Sequence, residues 1–186
     1  MAGRKILVIT GSPRPEGNTN TMAKAFIMGA EAAGHEVEVF DAAKANVEGC
    51  HGDQSCFKRG CCGLKDDGVR MNELMRWADL LVLCAPVYWA GFPSQIKRVI
   101  DRFYQFSAPK GRATCTVKET FLISACANPD AAMFEGVLGT YRLVDDLLGF
   151  TSIGELLAPG LAGPDAIDEK PEILEKAVRA GYLLGK

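Results

Sequence analysis

The stretch Lys5-Ile6-Leu7-Val8-Ile9-Thr10-Gly11-Ser12-Pro13-Arg14-Pro15-Glu16-Gly17-Asn18-Thr19-Asn20-Thr21 decides the fold. Its first six residues form a short apolar run closed by Gly-Ser-Pro, which predicts a buried strand over Lys5–Thr10. A polar turn follows. Met22, Ala25, Phe26 and Gly29 then recur at helical spacing, which predicts a helix over Thr19–Ala33 that Gly34 stops.

The same alternation continues outward. Glu36–Phe40 reads as a second strand, Leu80–Cys84 as a third, Thr120–Ala125 as a fourth and Ile153–Leu157 as a fifth. Helices are expected at about Val69–Trp77 and at Ser94–Phe106, where Ile96, Val99, Ile100 and Phe103 share a face. A further helix carries Phe134, Val137, Leu138 and Tyr141 and ends at Gly149. The last, Pro171–Leu184, opens on a proline in its first turn. Strands alternating with helices predict an α/β fold, a doubly wound five-stranded parallel sheet in three α/β/α layers. The 186 residues fall short of the roughly 250 typical of a barrel and suffice for a single well-cored domain over residues 1–186.

Composition excludes some functions. Lys and Arg number 21 against 23 Asp and Glu, a formal charge of −2, so a nucleic-acid partner is not expected. No apolar run approaches the ~20 residues of a membrane span, and Ile6–Ile9 is too short for a signal-peptide core. A cytoplasmic protein is expected. Of the 7 cysteines, Cys50, Cys56, Cys61 and Cys62 crowd together, which in a reducing compartment points to metal, redox chemistry or buried thiols. Cys84 and Cys126 lie in apolar runs and read as core residues.

In a doubly wound sheet, ligands sit at the carboxyl ends of the strands, so the loops after strands one, three and four are informative. The first loop combines hydroxyls, amides and Arg14 with a helix N-terminus, a natural anion site. Asn18, Thr19 or Thr21 would equally serve as an ordinary helix cap. The loop lacks a Walker A lysine and GxGxxG, so a terminal monophosphate suits it better than a triphosphate or dinucleotide. The loop after strand three, Pro86-Val87-Tyr88-Trp89-Ala90-Gly91-Phe92-Pro93, offers flat aromatic faces and stiff backbone, as a planar heteroaromatic ligand requires.

Together, Gly-Ser-Pro-Arg-x-x-Gly-Asn-Thr and Pro-Val-Tyr-Trp…Pro-x-Gln-x-Lys…Asp-Arg resemble the flavodoxin-fold NADPH-dependent FMN reductase family, which includes the iron–sulfur flavoproteins. The resemblance implies that Ser12, Arg14, Asn18, Thr19 and Asn20 hold the FMN phosphate. It also implies that Pro86, Val87, Tyr88, Trp89 and Gly91 border the isoalloxazine, with Ala125 and Cys126 closing the site. The implied activity is that of an FMN-dependent oxidoreductase. NAD(P)H would reduce bound FMN, and electrons would pass to flavin, a quinone or another small-molecule or protein acceptor. No side chain need act as acid or base, because the cofactor carries the chemistry. The alternative is an FMN-containing electron carrier that docks to redox proteins without using NAD(P)H. A homodimer or tetramer is expected by the same resemblance.

The cysteine segment resembles the cluster-bearing segment of iron–sulfur flavoproteins, where four thiolates follow C-x2-C-x2-C-x(4–7)-C. Cys50, Cys56 and Cys62 match it, but Asp53 occupies the second slot and Cys61 is an extra thiol. A zinc site from Cys50, His51, Cys56 and Cys62 lacks the usual spacing. The expectation is therefore flavin without a stoichiometric iron–sulfur cluster and with no assigned metal ligand, because a carboxylate corner favours loss of its iron.

Overall fold

Strand β1 (Lys5–Thr10) sends Ile6 and Val8 to one face of a sheet and Leu7 and Ile9 to the other, and all four are fully buried. A strand so patterned needs cover on both sides. The computed structural model, which describes residues 3–184, supplies it. Helix α1 (Asn18–Ala32) leads to β2 (Glu36–Asp41), and a long segment with the short helix α2 (Ser55–Arg59) leads to α3 (Gly68–Met75). Then follow β3 (Leu80–Pro86), α4 (Ser94–Asp101), the one-turn α5 (Pro109–Arg112) and β4 (Glu119–Ala125). Helix α6 (Glu135–Leu148), β5 (Thr151–Ala158) and α7 (Pro171–Tyr182) complete the chain.

The five strands are all parallel, in the order β2-β1-β3-β4-β5. This is the flavodoxin-like doubly wound arrangement. Leu7, Ile9, Leu81 and Leu83 pack under α3, α4 and α6, while Ile6, Val8, Leu80 and Val82 pack under α1 and α7. On that second face two glycines set the spacing. A Cβ on Gly29 would stand 1.9 Å from Val178 O, and one on Gly181 would stand 2.0 Å from Phe26 O. Helices α1 and α7 therefore touch backbone to backbone.

Two expectations need adjustment. The helix beginning at Ser94 stops at Asp101 and tightens into a 3₁₀ turn over Arg102–Ser107, although its apolar spacing runs on to Phe106. Within that turn Gln105 Nε2 donates to Arg102 O at 2.9 Å, competing for a carbonyl that a continuing α-helix would use. The polar segment between β2 and α3 also contains α2, which has no apolar period to announce it.

Under α6, Asp145 is buried. The Thr120 hydroxyl donates to its Oδ2 at 2.8 Å and lies 2.7 Å from the Tyr141 hydroxyl, which reaches Ser152 at 2.9 Å. Its other oxygen, Oδ1, has no partner among the described residues. Burial pushes this carboxyl up to about 6, against the Thr120 hydrogen bond, with the nearby Asp146 charge adding to the rise. A carboxyl raised in the folded state stabilises the fold below the unfolded value and loses that contribution as pH rises through the folded one. Asp145→Asn keeps the hydroxyl's acceptor and cannot ionise. It should gain on the order of 2–3 kcal/mol over the parent near pH 8 and little below about pH 4. Urea midpoints at the two pH values check this, and an equal difference at both would contradict it.

Candidate functional site

Strands β1 and β3 are neighbours, yet the chain leaves β1 for α1 on one face and leaves β3 for α4 on the other. The two loops must part, and a crevice opens at the carboxyl ends. It is a cleft of about 230 Å³ with four walls. Ser12, Arg14, Gly17, Asn18 and Thr19 form the first, and Pro86, Val87 and Tyr88 the second. Ala125, Cys126 and Ala127 form the third, and Leu161, Ala162 and Gly163 the fourth.

In the first wall, α1 starts after Gly17 with no side chain capping it. Its first-turn N–H groups thus lack helical partners and carry the positive end of the dipole. The loop is folded back on itself. Ser12 Oγ accepts Arg14 N–H at 3.2 Å, and the buried Asn20 donates its amide to Arg14 O at 2.8 Å and Ser12 O at 3.4 Å. A Cβ on Gly17 would sit 2.9 Å from Arg14 Cβ and 3.3 Å from Ser12 Oγ, so only glycine leaves the cradle open. The Arg14 residue is exposed, and its guanidinium has no hydrogen-bond or salt-bridge partner among the described residues.

The expected phosphate residues therefore divide. Ser12, Arg14 and Thr19 line the cleft with side chains on polar loop or helix-start positions. Asn18 lines it too, but its side chain is committed elsewhere: Nδ2 donates to Gly163 O at 2.8 Å and Leu161 O at 3.3 Å, and Oδ1 accepts Ile167 N–H at 3.0 Å. Asn20 lies outside the lining and shapes the loop from behind.

The second wall ends in a two-residue hairpin. Tyr88 and Gly91 exchange N–H···O bonds of 3.0 and 3.1 Å, with Trp89 (φ 47°) and Ala90 (φ 60°) both left-handed between them. Side chains rarely adopt that geometry, and such strain collects at binding sites. The turn puts Tyr88 against the cleft and holds Trp89 wholly in solvent at its mouth, so Trp89 and Gly91 are not lining residues.

Cys126 faces the cleft while donating its thiol to Asn128 O at 3.1 Å, and burial raises its pKa. Cys84 is a core thiol, buried in β3 and donating to Thr19 O at 3.1 Å, where burial pushes its pKa far up. The fourth wall was not anticipated. The loop after β5 has no recognition motif, and Leu161 N–H donates to Cys126 O at 2.9 Å to bring it there. The polar Asn18 beside a helix start was the one available signal.

The cysteine segment forms a second cavity of about 130 Å³, sharing no lining residue with the cleft. Cys50, Asp53, Cys56 and Cys62 all line it, with His51, Arg59 and Tyr104. Outside its lining, the two ends of the segment are tied together by Asp67 Oδ2 and Asp66 Oδ2, which accept N–H bonds from Asn46 and Glu48 at 2.7 and 2.8 Å. Asp66 in turn grips the buried Arg102 at 2.8 and 3.2 Å. Its hydrogen bonds and the Arg102 charge hold the Asp66 carboxyl below the usual range against the opposing effect of burial.

A model of the NADPH-dependent FMN reductase family matches residues 4–133. The chain belongs to that family. An iron–sulfur flavoprotein of Methanocaldococcus jannaschii is 35% identical over 98 residues, 53% of this chain and 51% of that protein. An iron–sulfur flavoprotein of Archaeoglobus fulgidus is 29% identical over 182 residues, 98% of this chain and 79% of its own. Several matches thus span about half the length of the relative. In fold, the chain resembles an NAD(P)H:quinone oxidoreductase of Methanothermobacter marburgensis, with a TM-score of 0.78 at 20% identity over 100% of this chain and 98% of that one. An azoreductase of Bacillus anthracis superposes with a TM-score of 0.72 at 19% identity, covering 98% and 99%. For a member of an FMN reductase family, the first wall has the right donors: an uncapped helix start, hydroxyls and an unpaired guanidinium suit a phosphate monoester.

Asn18 ties α1 to the fourth wall through three hydrogen bonds, so Asn18→Ala should cost on the order of 2 kcal/mol, about 4–8 °C in melting temperature. Thermal unfolding with and without ligand checks it; an unchanged melting temperature would mean that this wall is held by other contacts.

Proposed function

We propose that this chain is an FMN-dependent oxidoreductase in which NAD(P)H reduces FMN bound in the cleft and electrons pass on to a flavin, a quinone or another acceptor. The observation that carries the reading is the uncapped start of α1 at the β1/β3 divergence, beside the unpaired guanidinium of Arg14. When bound, FMN supplies the ring that takes up a hydride and gives up electrons.

The residues of the chain bind and orient it. Ser12, Arg14, Thr19 and the backbone at Asn18 hold the phosphate, while Asn20 keeps the loop folded around it. Pro86, Val87 and Tyr88 border the ring, and the strained turn carrying Trp89 and Gly91 stands at the mouth, where an incoming donor or acceptor must pass. Ala125 and Cys126 back the ring with apolar surface. The alternative electron-carrier reading draws on the separate thiol cavity, and it requires that NAD(P)H leave the flavin oxidised.

A homodimer or tetramer is supported by an apolar groove of about 380 Å³ between α4 and α6, where Leu143 and Leu147 are 63% and 76% exposed. These two leucines lie one turn apart beside a groove lined by Ile100, Phe103 and Tyr104, so two copies can each seat the other's ridge. A cytoplasmic setting agrees with every described cysteine being free.

Arg14→Ala should weaken FMN binding roughly tenfold to a hundredfold and leave riboflavin almost unaffected. Equal losses for both would remove the phosphate from Arg14. Anaerobic NADPH should bleach the bound flavin; a flavin that stays oxidised would favour the carrier. Sedimentation should give a dimer or larger species, and Leu143→Glu with Leu147→Glu a monomer. A monomeric parent would refute the α4–α6 contact.

A further inference from the structure

The turn at the mouth of the cleft is held in three places. At its base, Val87 and Phe92 pack against the core, and Val87 N–H donates to Ala125 O at 2.9 Å. Above them, Tyr88 and Gly91 exchange their N–H···O bonds. The third hold is at the tip, against the first turn of α6. A Cβ built on Gly136 would stand 1.8 Å from Ala90 O, 3.0 Å from Ala90 C and 3.8 Å from Gly91 Cα. Only a residue without a side chain lets the tip come this close.

Burial decides which side of that contact would yield to a side chain. Helix α6 is fixed, because Phe134 and Val137 on either side of Gly136 are fully buried. Further along, the buried Tyr141 is tied to Thr120 and Ser152. The tip has no such anchor: Ala90 is exposed and the Trp89 side chain is wholly in solvent. Both tip residues hold positive φ, 47° and 60°, which a Cβ disfavours, so the turn opens readily once its seat is lost. A methyl group on Gly136 therefore displaces the turn and leaves the helix in place. Gly139 on the same helix provides a comparison. A Cβ there would meet nothing within 4 Å outside its own helical turn among the described residues.

What the seat controls is Trp89. Its neighbour Tyr88 lines the cleft, and its own indole stands free at the mouth on a backbone fixed at both sides. An indole has two side-chain torsions to freeze on contact, and a backbone already held adds no further cost. Flat rings gain from offset stacking on such a surface. Nicotinamide and quinone both carry a flat ring, and either must pass this turn to reach a flavin in the cleft.

We propose that Gly136 is a positioning residue for the second substrate: it seats the mouth turn so that the Trp89 indole stacks on the flat ring, nicotinamide or quinone, that enters after FMN. The inference rests on the oxidoreductase reading above. Helix α6 lines no wall of the cleft, and it acts on the cleft through Ala90.

Two measurements test it on Gly136→Ala, Gly139→Ala and Trp89→Ala. The first is amide hydrogen exchange, read by mass spectrometry over residues 86–93. Gly136→Ala should speed exchange there about tenfold, whereas Gly139→Ala should match the parent. The second takes the half-reactions of the FMN-loaded protein separately, with NADPH as donor and with tetramethyl-benzoquinone or ferricyanide as acceptor. Gly136→Ala and Trp89→Ala should raise the apparent dissociation constant of NADPH, of the quinone or of both roughly threefold to tenfold, with limiting rates within about twofold. Ferricyanide, which has no ring to stack, should react as in the parent. A change with NADPH alone identifies the nicotinamide as the stacked ring, and a change with the quinone alone identifies the quinone.

Unchanged constants for both, an equal loss with ferricyanide, or exchange in Gly136→Ala no faster than in Gly139→Ala would overturn the proposal. If Gly136→Ala does not fold, Trp89→Ala decides, because its indole touches only solvent: parental constants for both substrates overturn it. A parent that takes up no FMN refutes the oxidoreductase reading and the substrate contact together. An FMN-loaded parent whose variants bind both substrates normally refutes this inference alone.

Discussion

Adjacent strands β1 and β3 hand the chain to helices on opposite faces of the sheet, and the arrangement of the cleft depends on that divergence. Where two such crossovers part, no helix can cover the strand ends, so backbone N–H groups and loop side chains meet solvent together. The start of α1 fills one side with unpaired donors, and the stiff turn after β3 fills the other with apolar and aromatic surface. A ligand anionic at one end and flat at the other matches this asymmetry, which is why the family of FMN reductases is a physically sensible home for the chain.

The walls of the cleft are held by side chains whose hydrogen bonds are spent on the protein itself. Asn20 fastens the first loop from behind, Cys84 fastens the start of α1 to β3, and Asn18 fastens that same start to the loop after β5. The first bond closes the loop on itself and the other two join segments distant in the chain, so the surface is fixed before any ligand arrives. Such preorganisation lowers the entropy cost of binding.

A comparable logic governs the segment between β2 and α3. A stretch this polar cannot bury itself, and it is anchored by one buried pair, Arg102 with Asp66. A buried ion pair gains little net stability but is expensive to break from one side, which makes it a registry device. It holds Cys62 against α4's continuation, and with it the cavity that Cys50, Asp53 and Cys56 share.

The residues of β1, β3 and β4 could be read directly, because a strand covered on both faces must be an unbroken apolar run. The first loop was legible too, since Gly17, Ser12 and Arg14 are chemically distinctive and lie beside a helix start. Asn18 and Asn20 were legible as site-adjacent but not in their roles: the partners of Asn18, Gly163 and Leu161, come from far along the chain, and those of Asn20, Ser12 and Arg14, are reached only through the fold of the loop. Trp89 reads as a stacking residue, yet the left-handed turn that lifts it into solvent depends on the pairing of Tyr88 with Gly91. By itself, then, the sequence determined the alternation of strands with helices, the polar loop after β1 and the thiols. Only the tertiary structure decided that Leu161–Gly163 complete the cleft and that Asp53, not Cys61, joins three thiols around one cavity. Local pattern records which groups are present, whereas their convergence is set by packing between segments far apart in the chain.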